Sequence, residues 1–221
     1  MVQFADIITE LASWTNGRGV ILRSQGEFFC SGGDLSTVKK IANPTDGYLM
    51  CSLMQDTLTR LHCLPLVSVS LVEGRALGGG AELMTSTDFR LSTSTAEVAF
   101  VQGVMGVATG WGGGTRLVQL LGYKTALDLL LTARKIYAHE ALTLGLTDCI
   151  LSNDEDKFEQ AVMWLHQRIK FEPEIIHTMK NIATAARDQS MNDSLENEKK
   201  LFASLWGGSA NMKALQGNIK H

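Results

Sequence analysis

No stretch of this sequence reaches the roughly 18 consecutive apolar residues that a membrane-crossing helix needs, and no run of Lys or Arg occurs in it. With a net charge of -3, nucleic acid and anionic membrane surfaces are not expected as partners. The first residues carry Asp6 and Glu10 in an amphipathic pattern, unlike a secretory signal or an Arg-rich transit peptide, so a cytosolic location is expected. Cys30, Cys51, Cys63 and Cys149 show no CxxC spacing, and without an export signal they read as reduced thiols. HExxH, GxSxG and GxxxxGK are also missing, which weighs against a zinc protease, a serine hydrolase and a phosphate-loop enzyme. The glycine clusters match GxGxxG poorly, and no acidic residue follows at the offset of a dinucleotide site. The five histidines are dispersed, with His139 at a predicted helix start on the surface. No metal site is expected.

The chain's 221 residues, 45% of them hydrophobic and 19% charged, suit one globular domain, or a domain with a helical appendage, able to bury a full core. Phe4, Ile7, Ile8 and Leu11 recur at helical spacing and predict an N-terminal helix. Residues 19–23 read as a short buried strand. Asp34 is a candidate N-cap for a helix starting at Leu35. Pro44 and Thr45 open a longer helix whose stripe of Leu49, Met50, Leu53, Met54, Leu58 and Leu61 predicts core packing. Strands are expected at 66–72, 89–92, 98–101 and 148–151, and a helix from Ala81 to about Ser86. Consecutive helices are expected near 155–170, 173–187 and 194–206. The layout is α/β in front and helical behind.

Two glycine loops each follow a buried strand: Cys30-Ser31-Gly32-Gly33-Asp34 and Arg75-Ala76-Leu77-Gly78-Gly79-Gly80-Ala81-Glu82. Glycine lets backbone approach a ligand with no side chain in the way. N–H groups at a helix N-terminus lack intrahelical partners and carry partial positive charge. Two such donors aimed at one carbonyl oxygen polarise it and hold an enolate, and Asp34 and Glu82 lie just beyond them. A further cluster, Gly110-Trp111-Gly112-Gly113-Gly114-Thr115-Arg116, opens another helix.

Gly32-Gly33-Asp34-Leu35, Ala76-Leu77-Gly78-Gly79-Gly80-Ala81-Glu82-Leu83 and Asp88-Phe89-Arg90 together resemble the motifs of the crotonase (enoyl-CoA hydratase/isomerase) superfamily. The resemblance implies an α/β, ClpP-like fold of repeated ββα units over residues 1–150 and a C-terminal helical trimerisation region over 151–221. It implies an acyl-CoA substrate, no cofactor beyond the CoA that is part of that substrate, and a homotrimer or hexamer. By motif position Gly33 and Gly79 are the oxyanion-hole donors and Glu82 is the first of two hydratase glutamates. Gly32, Asp34, Ala76, Gly78, Gln102 and Trp111 are the expected substrate-binding positions.

The second hydratase glutamate is replaced by Gln102, four residues before Gly106. An amide moves no proton at useful pH, and hydration wants two carboxyl groups. One acid beside an enolate-holding site fits a reaction with a single protonation, such as decarboxylation of a short branched malonyl-type acyl-CoA. An isomerase or hydratase using Glu82 alone, and a subunit that only binds CoA or assembles, remain as alternatives. Thr109 stands where the family pattern has proline before Gly110. The family's leading β-hairpin has no counterpart in these residues, which predicts an open sheet edge and a weaker hold on CoA.

Overall fold

The computed structural model describes residues 1–217, so the last four residues of the expected trimerisation region lie outside the described residues. The chain opens with α1 (Val2–Ala12), β1 (Gly19–Leu22), α2 (Leu35–Lys40) and α3 (Pro44–Cys63). Next come β2 (Val67–Val72), β3 (Arg75–Leu77), α4 (Gly79–Met84), β4 (Phe89–Thr93) and β5 (Glu97–Ala99). They are followed by α5 (Gly113–Leu121), α6 (Tyr123–Thr132), β6 (Ile136–Tyr137), α7 (Ala138–Leu144) and β7 (Cys149–Leu151). Four helices finish it: α8 (Lys157–His166), α9 (Pro173–Asp188), α10 (Met191–Leu205) and α11 (Ser209–Gln216). Among the described residues no helix is long and apolar enough to cross a membrane.

One sheet runs β1-β2-β4-β7, every pair parallel, and the other runs β3-β5-β6. Each successive unit gives a strand to both sheets: β2 then β3, β4 then β5, and β6 with β7. The first unit contributes β1 and a parallel bridge of Cys30 to Ala76. This is the repeated ββα plan. β1 is an edge strand among the described residues, paired only with β2.

Local sequence explains the helix starts. Asp34 accepts from the Thr37 N–H at 2.8 Å and caps α2, while Asn43 accepts from the Asp46 N–H ahead of Pro44 to cap α3. The largest core cluster joins Val72, Val98 and Phe100 to Met84, Leu117 and Leu129, between the sheets and α4 to α6. A second cluster packs Val69, Leu71 and Leu91 against Ala161, Leu165 and Ile176. α8 and the start of α9 are therefore built onto the first sheet.

Several expectations shift. The strand expected at 98–101 stops at Ala99, and residues 101–105 form a 3₁₀ turn. α4 begins at Gly79, two residues earlier than its side-chain pattern indicates, because glycines have no pattern to show. His139 is exposed at the start of α7, as expected. The stripe along α3 divides: Met54, Leu58 and Leu61 are buried, but Leu49 is 58% exposed, and Leu49, Met50, Leu53 and Met54 face a cavity. Helical periodicity shows that a face is covered without showing what covers it.

Candidate active site

The turn from β3 into α4 is held on both sides before it reaches the glycines. The Leu77 N–H donates to the Cys30 carbonyl at 2.9 Å and the Gly78 N–H to the Ala99 carbonyl at 2.9 Å. Gly78 then takes φ +54°, a left-handed backbone that favours glycine. At Gly80 a Cβ would lie 1.9 Å from the Cys30 carbonyl oxygen, so the loop holding Gly32 and Gly33 presses directly on α4. Gly32, at φ +98°, would place a Cβ 3.3 Å from the Gly79 nitrogen. Among the described residues, neither the Gly33 nor the Gly79 N–H has a hydrogen-bond partner.

A cavity of about 900 Å³ opens from this junction. Gly32, Gly33 and Asp34 line one end of it, and Leu49, Met50, Leu53, Leu83 and Trp111 supply apolar walls. Asp34 and Asp46 are its charged side chains; no Lys or Arg lines it among the described residues. Hydrogen bonds from Ser36 and Thr37 hold the exposed Asp34 carboxyl below the usual carboxylate range.

Glu82 is 2% exposed, and its carboxylate is enclosed by N–H donors. Gln102 Nε2 at 2.8 Å and the Gly110 N–H at 3.3 Å reach Oε1. The Trp111 and Gly113 N–H groups, both at 2.8 Å, reach Oε2. Gln102 Oε1 is buried and has no partner among the described residues. Arg116 donates to the Trp111 carbonyl at 2.8 Å and to the Glu82 carbonyl at 3.2 Å. Burial pushes the Arg116 guanidinium down to about 10, partly opposed by the nearby Glu82 charge. Burial, with that same charge behind it, pushes the Cys51 thiol up.

The Trp111 indole lies against Gly79, where a Cβ would meet three ring atoms at 2.6–3.0 Å. The structure thus brings Gly32, Gly33, Asp34 and Trp111 onto one cavity, with Gly79 behind the indole. Gln102 sits beside Glu82. Ala76, Gly78 and Gly79 do not themselves line the cavity; Ala76 lies in the bridge to Cys30, and Gly79 sits between the Gly32 loop and the Trp111 ring.

With this geometry in view, comparison with known proteins is direct. Residues 3–217 match the enoyl-CoA hydratase/isomerase family. The chain belongs to that family. The ethylmalonyl-CoA decarboxylase of Xenopus tropicalis is 46% identical over 222 residues, covering 100% of this chain and 74% of the relative. The Homo sapiens protein of the same name is 43% identical, covering 97% of this chain and 71% of the relative. Among solved structures, an enoyl-CoA hydratase from Bacillus anthracis superposes with a TM-score of 0.88 at 26% identity, covering 97% of this chain and 83% of that one. A second, from Geobacillus kaustophilus, gives 0.90 at 24% identity, covering 96% and 81%, and speaks for the fold alone.

The sequence signal for the glycine loops is strong because glycine admits a close approach that a Cβ would block, as at Gly80. The cavity wall from α3 was missed, since Leu49, Met50 and Leu53 carry the same apolar signal as core. Also missed were the N–H donors around Glu82, which no side-chain type announces. Asp88-Phe89-Arg90 turns out to be a strut. Asp88 accepts from Ser68 and Lys180, and Arg90 donates to the Leu146 and Thr87 carbonyls.

Proposed function

We propose that this protein is a carboxy-lyase that decarboxylates a short branched malonyl-type acyl-CoA. The substrates are ethylmalonyl-CoA and, less well, methylmalonyl-CoA, giving butyryl-CoA and propionyl-CoA. The observation that carries this reading is the amide of Gln102 against Glu82, at 2.8 Å, where a hydratase-type site needs a second carboxyl group. The ethylmalonyl-CoA decarboxylases at 46% and 43% identity support it.

The cavity supports the same chemistry. A substrate carboxylate placed among Leu53, Leu83 and Trp111 meets no cationic side chain among the described residues, and a poorly solvated anion costs free energy. When the bond from that carboxylate to the α-carbon breaks, CO₂ departs neutral and the electron pair passes into the thioester enolate. The charge arrives on the oxygen beside the free Gly33 and Gly79 N–H groups, each worth roughly 2.7–4 kcal/mol to the barrier by the measured cost of deleting one such donor. Gly32 and Asp34 shape the loop that presents Gly33.

We place the enzyme in the cytosol as a homotrimer or dimer of trimers. Exposed Met191, Leu195, Phe202 and Trp206 on and after α10 supply apolar surface for that assembly.

The deciding assay follows CO₂ release from ethylmalonyl-CoA beside loss of the enoyl absorbance of crotonyl-CoA. CO₂ release with crotonyl-CoA untouched is expected; turnover of crotonyl-CoA without CO₂ release overturns the reading. Gly33→Pro, which deletes one donor, should lower kcat by roughly 10²–10³. Gly33→Ala keeps the N–H and meets the Val38 side chain at 3.2 Å, so its kcat should fall far less than that of Gly33→Pro.

A further inference from the structure

We propose that Glu82 is a positioning residue that acts through Trp111, and that the proton added to the enolate carbon comes from water. The inference rests on the decarboxylation reading and assigns the site's one buried acid a different task.

A carboxylate offers about four lone-pair positions, and the Glu82 carboxylate accepts four hydrogen bonds. A proton donor must come within about 2.6–3.2 Å of the atom it serves, directly or through one water. Neither Glu82 nor Gly79 lines the cavity, but the Gly79 N–H has no partner among the described residues, whereas the Glu82 carboxylate is fully occupied. The Glu82 side chain runs beneath Gly113, where a Cβ would lie 2.3 Å from the Glu82 Cγ.

What Glu82 does hold is the backbone of Trp111. The carboxylate accepts from the Trp111 N–H, and Arg116 donates to the Trp111 carbonyl as well as to the Glu82 carbonyl and the Thr85 hydroxyl. The peptide groups on both sides of the Trp111 Cα are thereby tied to α4, one by Glu82 directly and the other through Arg116. The fixed backbone seats an indole that packs on Met54 and Leu58 and lies against Gly79. The same ring walls the cavity. The Glu82 charge therefore sets the ring that backs the oxyanion donor.

The chemistry balances without an acid from the protein. After CO₂ leaves, the enolate carbon takes a proton from water in the open cavity. The hydroxide left behind combines with CO₂ as bicarbonate, so the single negative charge of the substrate carboxylate is conserved.

A double-mutant cycle tests this, with Glu82→Gln, Trp111→Leu and the pair, reading kcat and KM for CO₂ release and calorimetric affinity for butyryl-CoA. Thermal unfolding of each variant separates loss of fold from loss of function. Glu82→Gln should lower kcat at least about tenfold with Trp111 present and less than about threefold in the Trp111→Leu background, the non-additivity expected of residues in one network. Butyryl-CoA affinity should fall in both single variants. Equal factors in both backgrounds with product affinity unchanged would mark Glu82 as the proton donor and overturn the proposal. If Glu82→Gln does not fold, Glu82→Asp keeps the charge, shortens its reach and enters the same cycle. If the unaltered protein binds butyryl-CoA but releases no CO₂, the decarboxylation reading fails. The coupling is then judged from affinity alone, where additive losses count against it.

Discussion

The chain contains two runs of three glycines, 78–80 and 112–114, and the structure uses them in opposite ways. Both sit where a helix begins, so both expose backbone N–H groups and the positive end of a helix dipole. At the start of α5 that end already holds its anion: the Gly113 N–H donates to the buried Glu82 carboxylate. At the start of α4 the Gly79 N–H has no partner among the described residues, and the loop of Gly32 and Gly33 lies against it. The reasons for glycine also differ. Gly80 is forced by a carbonyl oxygen behind it and Gly113 by the Cα, Cβ and Cγ of Glu82, whereas Gly114 is forced only by the Thr109 hydroxyl. One run is a filled anion site made of protein, and the other is the site left for substrate.

Alanine substitutions break this comparison most sharply. At Gly80 the new Cβ meets backbone 1.9 Å away, which a rotamer change cannot relieve. We expect a loss of about 4 kcal/mol or more, a large part of the roughly 5–15 kcal/mol that holds a domain together. Urea unfolding and soluble yield check it. Gly114→Ala meets the Thr109 hydroxyl at 2.6 Å, which a rotamer change can relieve. A smaller loss of about 1–2 kcal/mol is expected there. Equal effects at the two positions would erase the distinction between backbone-forced and side-chain-forced glycine.

Sequence alone carried much of the frame. Asp34 and Pro44-Thr45 mark helix starts because such signals are local chemistry, and β2 is legible because it is apolar, β-branched and bounded by proline. The glycine loops with Gly33, Gly79 and Glu82 stand out for the same local reason. What stayed hidden depends on distant partners. β3 and β6, three and two residues long, are too short for alternation to register. The surroundings of Glu82 come from residues 20 to 31 positions away, mostly through backbone. Lys180 looks like a surface lysine on an amphipathic helix, yet it reaches Asp88 across 92 positions.

That last tie makes a contrasting prediction. Lys180 donates to Asp88 at 2.6 Å and to the Leu66 carbonyl at 2.7 Å, fixing α9 to the entrances of β2 and β4. Burial pushes its amine below the usual range, with Asp88 opposing. Breaking a fully buried pair costs about 3–5 kcal/mol. Asp88 keeps its two bonds from Ser68, so Lys180→Met should cost less, about 2–3 kcal/mol. Its kcat should equal that of the unaltered enzyme while folded, because Lys180 does not line the cavity beside the glycines. A fall in kcat with stability intact would extend the site to α9.

The smallest effect concerns the far end of α4. His62 places Nδ1 3.0 Å from the Ser86 carbonyl, which fixes Nδ1 as the donor of the neutral ring, and Nε2 faces the Arg187 guanidinium. Burial first, and the Arg187 charge second, push the His62 pKa from 6.5 to about 4. Between those values the unfolded chain binds a proton that the folded chain refuses, so stability falls as pH drops from 6.5 toward 4. From pH 7 to pH 5 the loss from this one group should be about 1–2 kcal/mol. Urea midpoints at pH 7, 6 and 5 should show it, and His62→Gln should remove that part of the slope. Turnover of His62→Gln at pH 7 should match the unaltered enzyme, because the ring touches the C-terminal end of α4 while the oxyanion donor lies at its N-terminal glycines. A pH-dependent change in turnover that disappears with His62 would instead show the two ends of this six-residue helix moving as one body.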